Sequence, residues 1–344
     1  MPISSKLQKQ MSEGGWIRKM FEQGIALKRK YGEENVFDFS LGNPIIEPPD
    51  AFRGELRKWA DKPLAGMHRY MPNAGYPETR TAVAQYLSNA AGMPFGMNDI
   101  VMTCGAAGGL NVALKTVVEA GDEVIIFSPY FVEYIYYIDN VQGVPVIVPT
   151  DERFLPDIAA LEKGITPKTK AVIINSPNNP TGAVYGGDVL KGIGDVLQRK
   201  ESEYGTEIYL ISDDIYRRLA YDGVDCPYVF EHHQQSIVVT SYSKDLALPG
   251  ERIGYIAVNP QCEGRDELVA GMVFCNRTLG FVNAPALMQN VVRDLQESCV
   301  DISQYEKKRD MLCDGLSDMG YSLVKPQGAF YIFPQSPVED DMAF

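Results

Sequence analysis

The sequence predicts an α/β fold in which a mostly parallel β-sheet carries helices on both faces. Between about residues 101 and 258, apolar runs of strand length alternate with amphipathic stretches of helical length. Repeated strand–helix–strand units of this kind build parallel sheets. Glycine-rich or polar clusters directly follow several of the apolar runs. Because ligands bind outside the carboxyl ends of strands in such sheets, the clusters predict a ligand site along one sheet edge.

The chain before the sheet predicts an arm, a helix and then a short strand. The alternating run Val36–Phe39 reads as this strand, and it leads into the loop Gly42-Asn43-Pro44. Glycine in this loop allows a backbone N–H to approach a ligand, although the loop is equally consistent with a plain turn. Pro77 suits the first turn of a further helix, which Gly92 ends.

The predicted sheet consists of short apolar runs separated by helical sequence. The clearest runs are residues 124–127, 144–148, 171–175, 207–211, 237–240 and 253–258. A helix also opens at the small residues Gly105, Ala106 and Ala107, where free N–H groups could bind a phosphate or the chain could simply pack tightly. After about residue 262 long helical sequence precedes two predicted strands, 321–324 and 329–333, which indicate a second, smaller domain.

Composition narrows the classes of function. The chain has 344 residues, 45% of them hydrophobic, enough for one large domain and a smaller one. Its net charge of −13 argues against nucleic-acid binding. Six dispersed cysteines without a CxxC pair predict a reduced, cytoplasmic protein, and no stretch has metal-ligand spacing. We also expect no secretory signal and no membrane span, because the first residues and every later run lack the required apolar length.

Lys244 follows the apolar run 237–240 and is the leading candidate for a catalytic residue. Desolvation at the end of a buried strand disfavours the charged form of a lysine and lowers its pKa. A neutral amine is nucleophilic and can form a Schiff base with an aldehyde or ketone. The alternative is an ordinary solvated surface lysine.

Other strand ends supply what a Schiff-base lysine with an electron-withdrawing cofactor needs. Asp213 is placed to keep a ring nitrogen protonated, and Tyr216 or Asn179 to bond a ring oxygen. Phe131, or its neighbour Tyr130, is a candidate to stack on a ring. Ser241, Arg252 and the 105–107 turn are candidates to hold a phosphate. Each also has a plainer interpretation as a solvated turn, a β-turn or a core residue.

Three motifs together resemble a known family. They are SPNNPTG at 176–182, SDDIY at 212–216 and SYSKDLALPGERIGY at 241–255. In order and spacing the sequence resembles pyridoxal-phosphate-dependent aminotransferases of class I/II, the aspartate aminotransferase superfamily of fold type I. The resemblance implies a mostly parallel seven-stranded sheet with helices on both faces, a smaller α+β domain, pyridoxal 5′-phosphate as cofactor and a homodimer.

The resemblance also implies residue roles. Lys244 forms the Schiff base and moves a proton, Asp213 pairs with the ring nitrogen, Tyr216 and Asn179 bond the ring oxygen, and Phe131 stacks on the ring. The phosphate is held by Gly105, Ala106, Ala107, Ser241 and Arg252, with Tyr70 reaching it from the partner subunit. Gly42 and Asn179 contact the substrate. Apart from the resemblance, Arg277 is a candidate to bind a substrate side-chain carboxylate across the dimer, or else a surface arginine.

The predicted domain organisation has three parts. Residues 1–44 form an N-terminal arm and part of the small domain, residues 45–265 the large cofactor-binding domain, and residues 266–344 an interdomain helix and part of the C-terminal small domain. Relatives usually continue past a segment like EDDMAF into a tract that carries the arginine for the substrate α-carboxylate. The sequence stops at Phe344, so we expect the C-terminal domain to be truncated and the natural protein to be longer.

The expected activity is transfer of an amino group between an L-amino acid and a 2-oxo acid. Two alternatives stay open at this point. The first is a C–S β-lyase on the same fold, because the cofactor supplies the chemistry and the pocket selects the bond that breaks. The second is a non-catalytic or regulatory protein that binds pyridoxal phosphate.

Overall fold

The structure is a computed structural model that describes residues 2–14, 16–39, 42–61, 65–341 and 344, without the side chains of residues 13, 16–19 and 21. The chain separates into two compact units, Met1–Asn43 and Pro44–Phe344. The three-part division at residues 44 and 265 stays a prediction. Among the described residues, no helix has both the length and the apolar character needed to cross a membrane.

The described residues form eleven α-helices and seven β-strands. The helices are α1 (Ser5–Gly14), α2 (Trp16–Tyr31), α3 (Asp50–Asp61), α4 (Pro77–Ala91), α5 (Gly105–Val117), α6 (Glu133–Asn140), α7 (Ile158–Gly164), α8 (Gly187–Tyr204), α9 (Arg265–Thr278), α10 (Ala286–Arg293) and α11 (Ser303–Asp318). The strands are β1 (Ile100–Thr103), β2 (Glu123–Ser128), β3 (Val144–Pro149), β4 (Thr169–Asn175), β5 (Tyr209–Asp213), β6 (Ser236–Ser241) and β7 (Gly254–Val258).

All seven described strands belong to one sheet, in the order β1-β7-β6-β5-β4-β2-β3. The pairs β2–β3, β2–β4, β4–β5 and β5–β6 are parallel, whereas β7 runs antiparallel to β1 and β6. The mostly parallel seven-stranded sheet predicted from the sequence is therefore confirmed.

Helices cover both faces of this sheet, and each face has its own apolar core. Successive side chains of a strand point to opposite faces. In β2, Ile125 and Phe127 accordingly lie in one buried cluster, while Val124 and Ile126 lie in the other. Burial on both faces explains why the central strands read as continuous apolar runs rather than alternating ones.

The sheet register brings three strand ends together. Asn175, the last residue of β4, pairs with Asp213, the last residue of β5. The neighbouring β6 pairs Val239 with Asp213 and continues for two more residues to Ser241. The polar clusters that follow these strands in sequence therefore meet along one edge.

The predicted strand Val36–Phe39 is wrong. These residues have no regular secondary structure, and within the described residues they pair with no other strand. Phe37 and Phe39, which an alternating strand would place on one buried face, are 83% and 81% exposed. Among the described residues of the unit Met1–Asn43, no strand offers a surface against which these apolar side chains could pack.

The two predicted strands at 321–324 and 329–333 are also wrong. Residues in these tracts form only the isolated bridge Leu323↔Pro334. The N–H groups of Gly328 and Ala329 donate instead to the carbonyls of Gly182 and Leu219, over 3.1 and 3.0 Å. This pairing draws the tract toward the segments that follow β4 and β5.

Candidate active site

Lys244 lies three residues beyond the end of β6, half-buried beneath aromatic rings. Its Nζ atom is 5.0 Å from the centroid of the Phe330 ring and 5.7 Å from that of Tyr216. Burial lowers the pKa of the amine to about 8, although the carboxylate of Asp213 opposes this shift. The amine thus has a substantial neutral fraction near physiological pH, as the sequence predicted for a nucleophilic lysine.

Asp213 ends β5 with its side chain only 2% exposed. Its Oδ2 atom accepts a hydrogen bond from the hydroxyl of Tyr134 over 2.7 Å. Its Oδ1 atom is buried and has no hydrogen-bond partner. Burial raises the pKa of this carboxyl to about 7, against the lowering effect of the Tyr134 hydrogen bond. A buried oxygen without a partner is costly, and it marks a place for a proton donor from a ligand.

Asn179 and Tyr216 are linked by hydrogen bonds to the hydroxyl of Tyr331. The backbone N–H of Asn179 donates to Oδ1 of Asn175 over 2.7 Å, which fixes the loop after β4. The side-chain Nδ2 of Asn179 donates to the hydroxyl of Tyr331 over 3.4 Å. The hydroxyls of Tyr216 and Tyr331 lie 2.7 Å apart. The structure therefore places both predicted partners of the ring oxygen in one hydrogen-bonded group.

The junction of β1 and α5 forms a cradle with the guanidinium of Arg252. Gly105 has φ +71°, and a Cβ atom on it would lie 2.9 Å from Nη2 of Arg252. Gly254 is equally constrained, because a Cβ atom there would lie 2.3 Å from the carbonyl oxygen of Thr240. Ala106 and Ala107 follow in the first turn of α5, where backbone N–H groups lack helical partners. Such N–H groups beside a guanidinium suit an anion.

Ser241 lies at the end of β6, on the same edge of the sheet. Its hydroxyl is buried and donates to the hydroxyl of Ser243 over 3.0 Å. Phe131 precedes α6 and meets Tyr134 edge to face, with ring centroids 5.5 Å apart. Phe131 is partly buried against the core on this face of the sheet.

The structure does not test the predicted roles of three further site residues. Tyr70 is 92% exposed. Arg277 is exposed in the last turn of α9, where its guanidinium carbon lies 5.3 Å from the Phe274 ring centroid. Gly42 belongs to the unit Met1–Asn43, whereas Lys244 belongs to the unit Pro44–Phe344. Their roles stay predictions.

The second aspartate of the SDDIY motif has a structural role. Asp214 is buried, and its Oδ2 atom accepts a hydrogen bond from Nε of Arg217 over 2.7 Å. The Ser212 hydroxyl donates to its other oxygen. The two adjacent aspartates are therefore not a solvated turn, since one faces Arg217 and the other faces Tyr134.

Sequence reasoning missed Tyr134 and Tyr331. Tyr134 lies three residues after Phe131, the spacing that places two side chains on one side of a helical turn, so this signal was available. Tyr331 carried no such signal, because the tract around it reads as a strand and meets the site through long-range bridges.

The comparison with known proteins gives a consistent family. The family "Aminotransferase class I and II" matches residues 34–344. A probable aspartate aminotransferase of Methanocaldococcus jannaschii is 30% identical over 310 residues, which cover 87% of this chain and 78% of that protein. A probable aspartate/prephenate aminotransferase of Thermus aquaticus is 32% identical over 93% of this chain and 83% of its own length.

Solved structures agree with the sequence matches. An aminotransferase from Eubacterium rectale has a TM-score of 0.95 and 38% identity, covering 100% of this chain and 87% of its own. The Thermus thermophilus aspartate aminotransferase with maleate has a TM-score of 0.79 and 28% identity, over 92% of this chain and 81% of its own.

The chain belongs to the class I and II aminotransferase family. It is accordingly a pyridoxal-phosphate-dependent aminotransferase, which moves an amino group between an L-amino acid and a 2-oxo acid. These relatives are named as aminotransferases, and nothing in the comparisons supports the lyase or the regulatory alternative.

The site of this aminotransferase fits its cofactor on independent grounds. The partnerless Oδ1 of Asp213 is suited to accept a hydrogen bond from a protonated ring nitrogen. The Gly105–Arg252 cradle lacks room for a Cβ atom and is suited to a phosphate. A half-buried lysine amine whose pKa burial lowers to about 8 is suited to an aldehyde.

Proposed function

We propose that Lys244 is the residue to which the cofactor of this aminotransferase is attached. The observation that carries this proposal is the position of its half-buried amine at the carboxyl edge of the sheet, where the charge of the Asp213 carboxylate acts on it. Bound pyridoxal phosphate supplies an aldehyde carbon and a ring that withdraws electrons from bonds at the substrate α-carbon. Once the substrate amine has replaced Lys244 on the cofactor, the free Nζ atom of Lys244 would move the proton between that α-carbon and the cofactor.

Neighbouring residues orient the cofactor in this proposal. The carboxylate of Asp213 would accept a hydrogen bond from the ring nitrogen and keep it protonated. Tyr216 and Asn179 would donate to the ring oxygen, and Phe131 would cover one face of the ring. The N-terminal N–H groups of α5, at Gly105, Ala106 and Ala107, would hold the phosphate together with the hydroxyl of Ser241 and the guanidinium of Arg252.

We further propose a homodimer in which Tyr70 completes the site of the partner subunit. Tyr70 is 92% exposed in the single chain. Tyrosine is enriched at protein interfaces, where its ring is buried and its hydroxyl finds a hydrogen-bond partner. A phosphate in the neighbouring subunit would provide that partner. The six cysteines, none of which forms a disulfide, favour a reducing compartment such as the cytoplasm.

The proposed donors are dicarboxylic L-amino acids, with 2-oxoglutarate as acceptor. Relatives named for aspartate support this choice. The N–H of Gly42 and the side chain of Asn179 are the proposed contacts of the substrate α-carboxylate, and Arg277 is the proposed contact of a side-chain carboxylate across the dimer.

The activity is tested by incubating the purified holoenzyme with L-aspartate and 2-oxoglutarate. We expect oxaloacetate and glutamate to appear in equal amounts, without release of ammonia. A matched reaction lacking 2-oxoglutarate should stop after about one turnover per site. Continued turnover without an oxo acid, with release of ammonia, would contradict transamination and indicate elimination. L-Phenylalanine in place of aspartate separates dicarboxylic from aromatic preference.

A further inference from the structure

Tyr331 lies among the proposed cofactor residues although the function given above leaves it without a role. It belongs to the tract 326–333, which the isolated bridge Ala220↔Gly328 fastens beside the segment after β5. Gly328 permits this approach, because a Cβ atom on it would lie 2.5 Å from Cγ of Pro177. The tract thus contacts the segments after β4 and β5 at once, and Tyr331 lies within it, three residues after Gly328.

The hydroxyl of Tyr331 joins two residues that are proposed to hold the ring oxygen of the cofactor. It lies 2.7 Å from the hydroxyl of Tyr216 and accepts from Nδ2 of Asn179 over 3.4 Å. The rings of Tyr216 and Tyr331 pack edge to face, with centroids 5.7 Å apart. Tyr216 is 1% exposed, so its hydroxyl has few alternatives to this partner.

The chemistry of the three groups permits a chain of hydrogen bonds that runs from Asn179 through Tyr331 to Tyr216, because either of the two hydroxyls can donate to the other. The amide nitrogen of Asn179 can only donate, so the Tyr331 oxygen accepts from it. When the Tyr331 proton points to the Tyr216 oxygen, the Tyr216 proton is left to point into the site. Hydrogen bonds in such a chain polarise one another, and a phenol that accepts a bond becomes a better donor.

We propose that Tyr331 is a positioning residue, which orients the Tyr216 hydroxyl as a donor to the ring oxygen of the cofactor and strengthens that donation. This inference rests on the proposed function, because it assumes that the cofactor lies against Tyr216 and Asn179. It adds a residue that acts through Tyr216 rather than by touching the substrate. The charged groups that face this pair are Asp213, at the end of β5, and Lys244, beyond β6.

The hydrogen bond from Tyr216 stabilises the ring oxygen as an anion. A weaker donor therefore lets the bound cofactor keep its proton to higher pH. The visible absorbance of the bound cofactor changes with this protonation, so the midpoint of an absorbance titration reports the strength of the Tyr216 hydrogen bond. A role limited to packing would leave this midpoint unchanged.

The test is a double-mutant cycle on the holoenzyme, with Tyr331→Phe, Tyr216→Phe and the double variant. We expect Tyr331→Phe to raise the midpoint by about 0.5 pH unit, roughly a threefold change in the acid dissociation constant. Tyr216→Phe should raise it further. In the Tyr216→Phe background, Tyr331→Phe should produce no additional shift, because its route of action is gone.

Tyr305→Phe is the matched control. Tyr305 and Tyr331 both pack on the Phe330 ring, each with ring centroids 5.3 Å apart, and the Tyr305 hydroxyl takes no part in the hydrogen bonds that join Tyr331, Tyr216 and Asn179. Removing this hydroxyl should leave the midpoint unchanged. Each variant keeps its aromatic ring, and thermal unfolding of each confirms that packing is retained.

Three results would overturn the inference. They are a Tyr331→Phe midpoint equal to that of Tyr305→Phe, a shift to lower pH, and a shift of the same size with or without Tyr216. Borohydride reduction of every variant keeps the two proposals apart. If the cofactor labels Lys244 but Tyr331→Phe leaves the titration midpoint unchanged, only this inference fails. If no label appears at Lys244, the proposed function is overturned as well.

Discussion

The carboxyl group of Asp213 keeps its proton to a pH at which an exposed aspartate is fully ionised. Its pKa is raised to about 7 because burial disfavours the charged form more than the Tyr134 hydrogen bond favours it. In the unfolded chain the pKa returns to about 3.9. The folded apo-protein therefore binds more protons than the unfolded chain between about pH 4 and 7, and the stability this contributes is lost as pH rises through about 7.

Replacing Asp213 by Asn removes this pH-dependent loss. Relative to the wild type, apo-Asp213→Asn should become more stable by about 2–3 kcal/mol when the pH is raised from 5 to 8. Urea unfolding of both proteins at the two pH values measures the difference. Asp314→Asn, at an exposed position on α11, is the control and should show no such trend. An equal trend in both variants would show that Asp213 is not the group responsible.

The same sheet edge shows how far residue roles follow from sequence. Lys244 and Asp213 could be chosen because each lies close to the end of an apolar run, and the carboxyl ends of parallel strands meet at one edge of the sheet. Tyr331 could not be chosen in this way. Its contact with Tyr216 spans 115 positions of sequence, and it depends on a tract whose N–H groups donate to segments distant in the chain.

At the scale of elements, the junction of β1 and α5 shapes the proposed phosphate site. The chain turns into α5 at Gly105, whose φ of +71° is strained for any residue with a Cβ atom. The side chain of Arg252, which comes just before β7, occupies the space a Cβ atom would need. The backbone turn at Gly105 and the guanidinium of Arg252 are therefore in close contact, and the N-terminus of α5 begins at this turn.

Gly105→Ala should weaken cofactor binding by about tenfold or more, because it displaces the guanidinium that bonds the phosphate. Fluorescence titration of the apo-protein with pyridoxal phosphate measures the dissociation constant. Gly121→Ala is the matched control: its φ of +92° imposes similar backbone strain, but no atom lies within 4 Å of the added Cβ atom. Equal dissociation constants for the two variants would show that the Gly105–Arg252 cradle does not hold the phosphate.

Elements were predicted best where the pattern is local. The runs that became β2 to β7 contain enough β-branched residues to be recognised as strands. Pro77 marks the start of α4, and Gly92 marks its end. The failures at Val36–Phe39 and 321–333 have a shared cause. A run of alternating apolar residues forms a strand only if another strand is available to pair with it. Pairing between segments that are distant in the chain cannot be predicted from the local pattern.

At the scale of the whole molecule, the proposed dimer makes each active site depend on two chains. Lys244 and Asp213 would come from one chain and Tyr70 from the other. Two variants with defects in different positions can then complement each other. In a heterodimer of Lys244→Ala and Tyr70→Ala chains, one site carries both defects and the other carries none.

A heterodimer purified through two different affinity tags should therefore recover about half of the wild-type activity, although each parent homodimer is much less active. The control pairs Lys244→Ala with Asp213→Asn. Both defects lie within one chain's own site, so each site of this heterodimer is damaged and no recovery is expected. Recovery in the control, or none in the test pair, would contradict the contribution of Tyr70 across the dimer.

The attachment of the cofactor to Lys244 is tested most directly by borohydride reduction of the holoenzyme, followed by digestion and mass spectrometry. We expect one labelled lysine, in the peptide that contains Lys244, and no label in the Lys244→Ala protein. Lys115→Ala, which changes a solvated lysine on α5, should keep the label. A label on another lysine of the wild type, or a label that survives in Lys244→Ala, would show that the cofactor is not attached to Lys244.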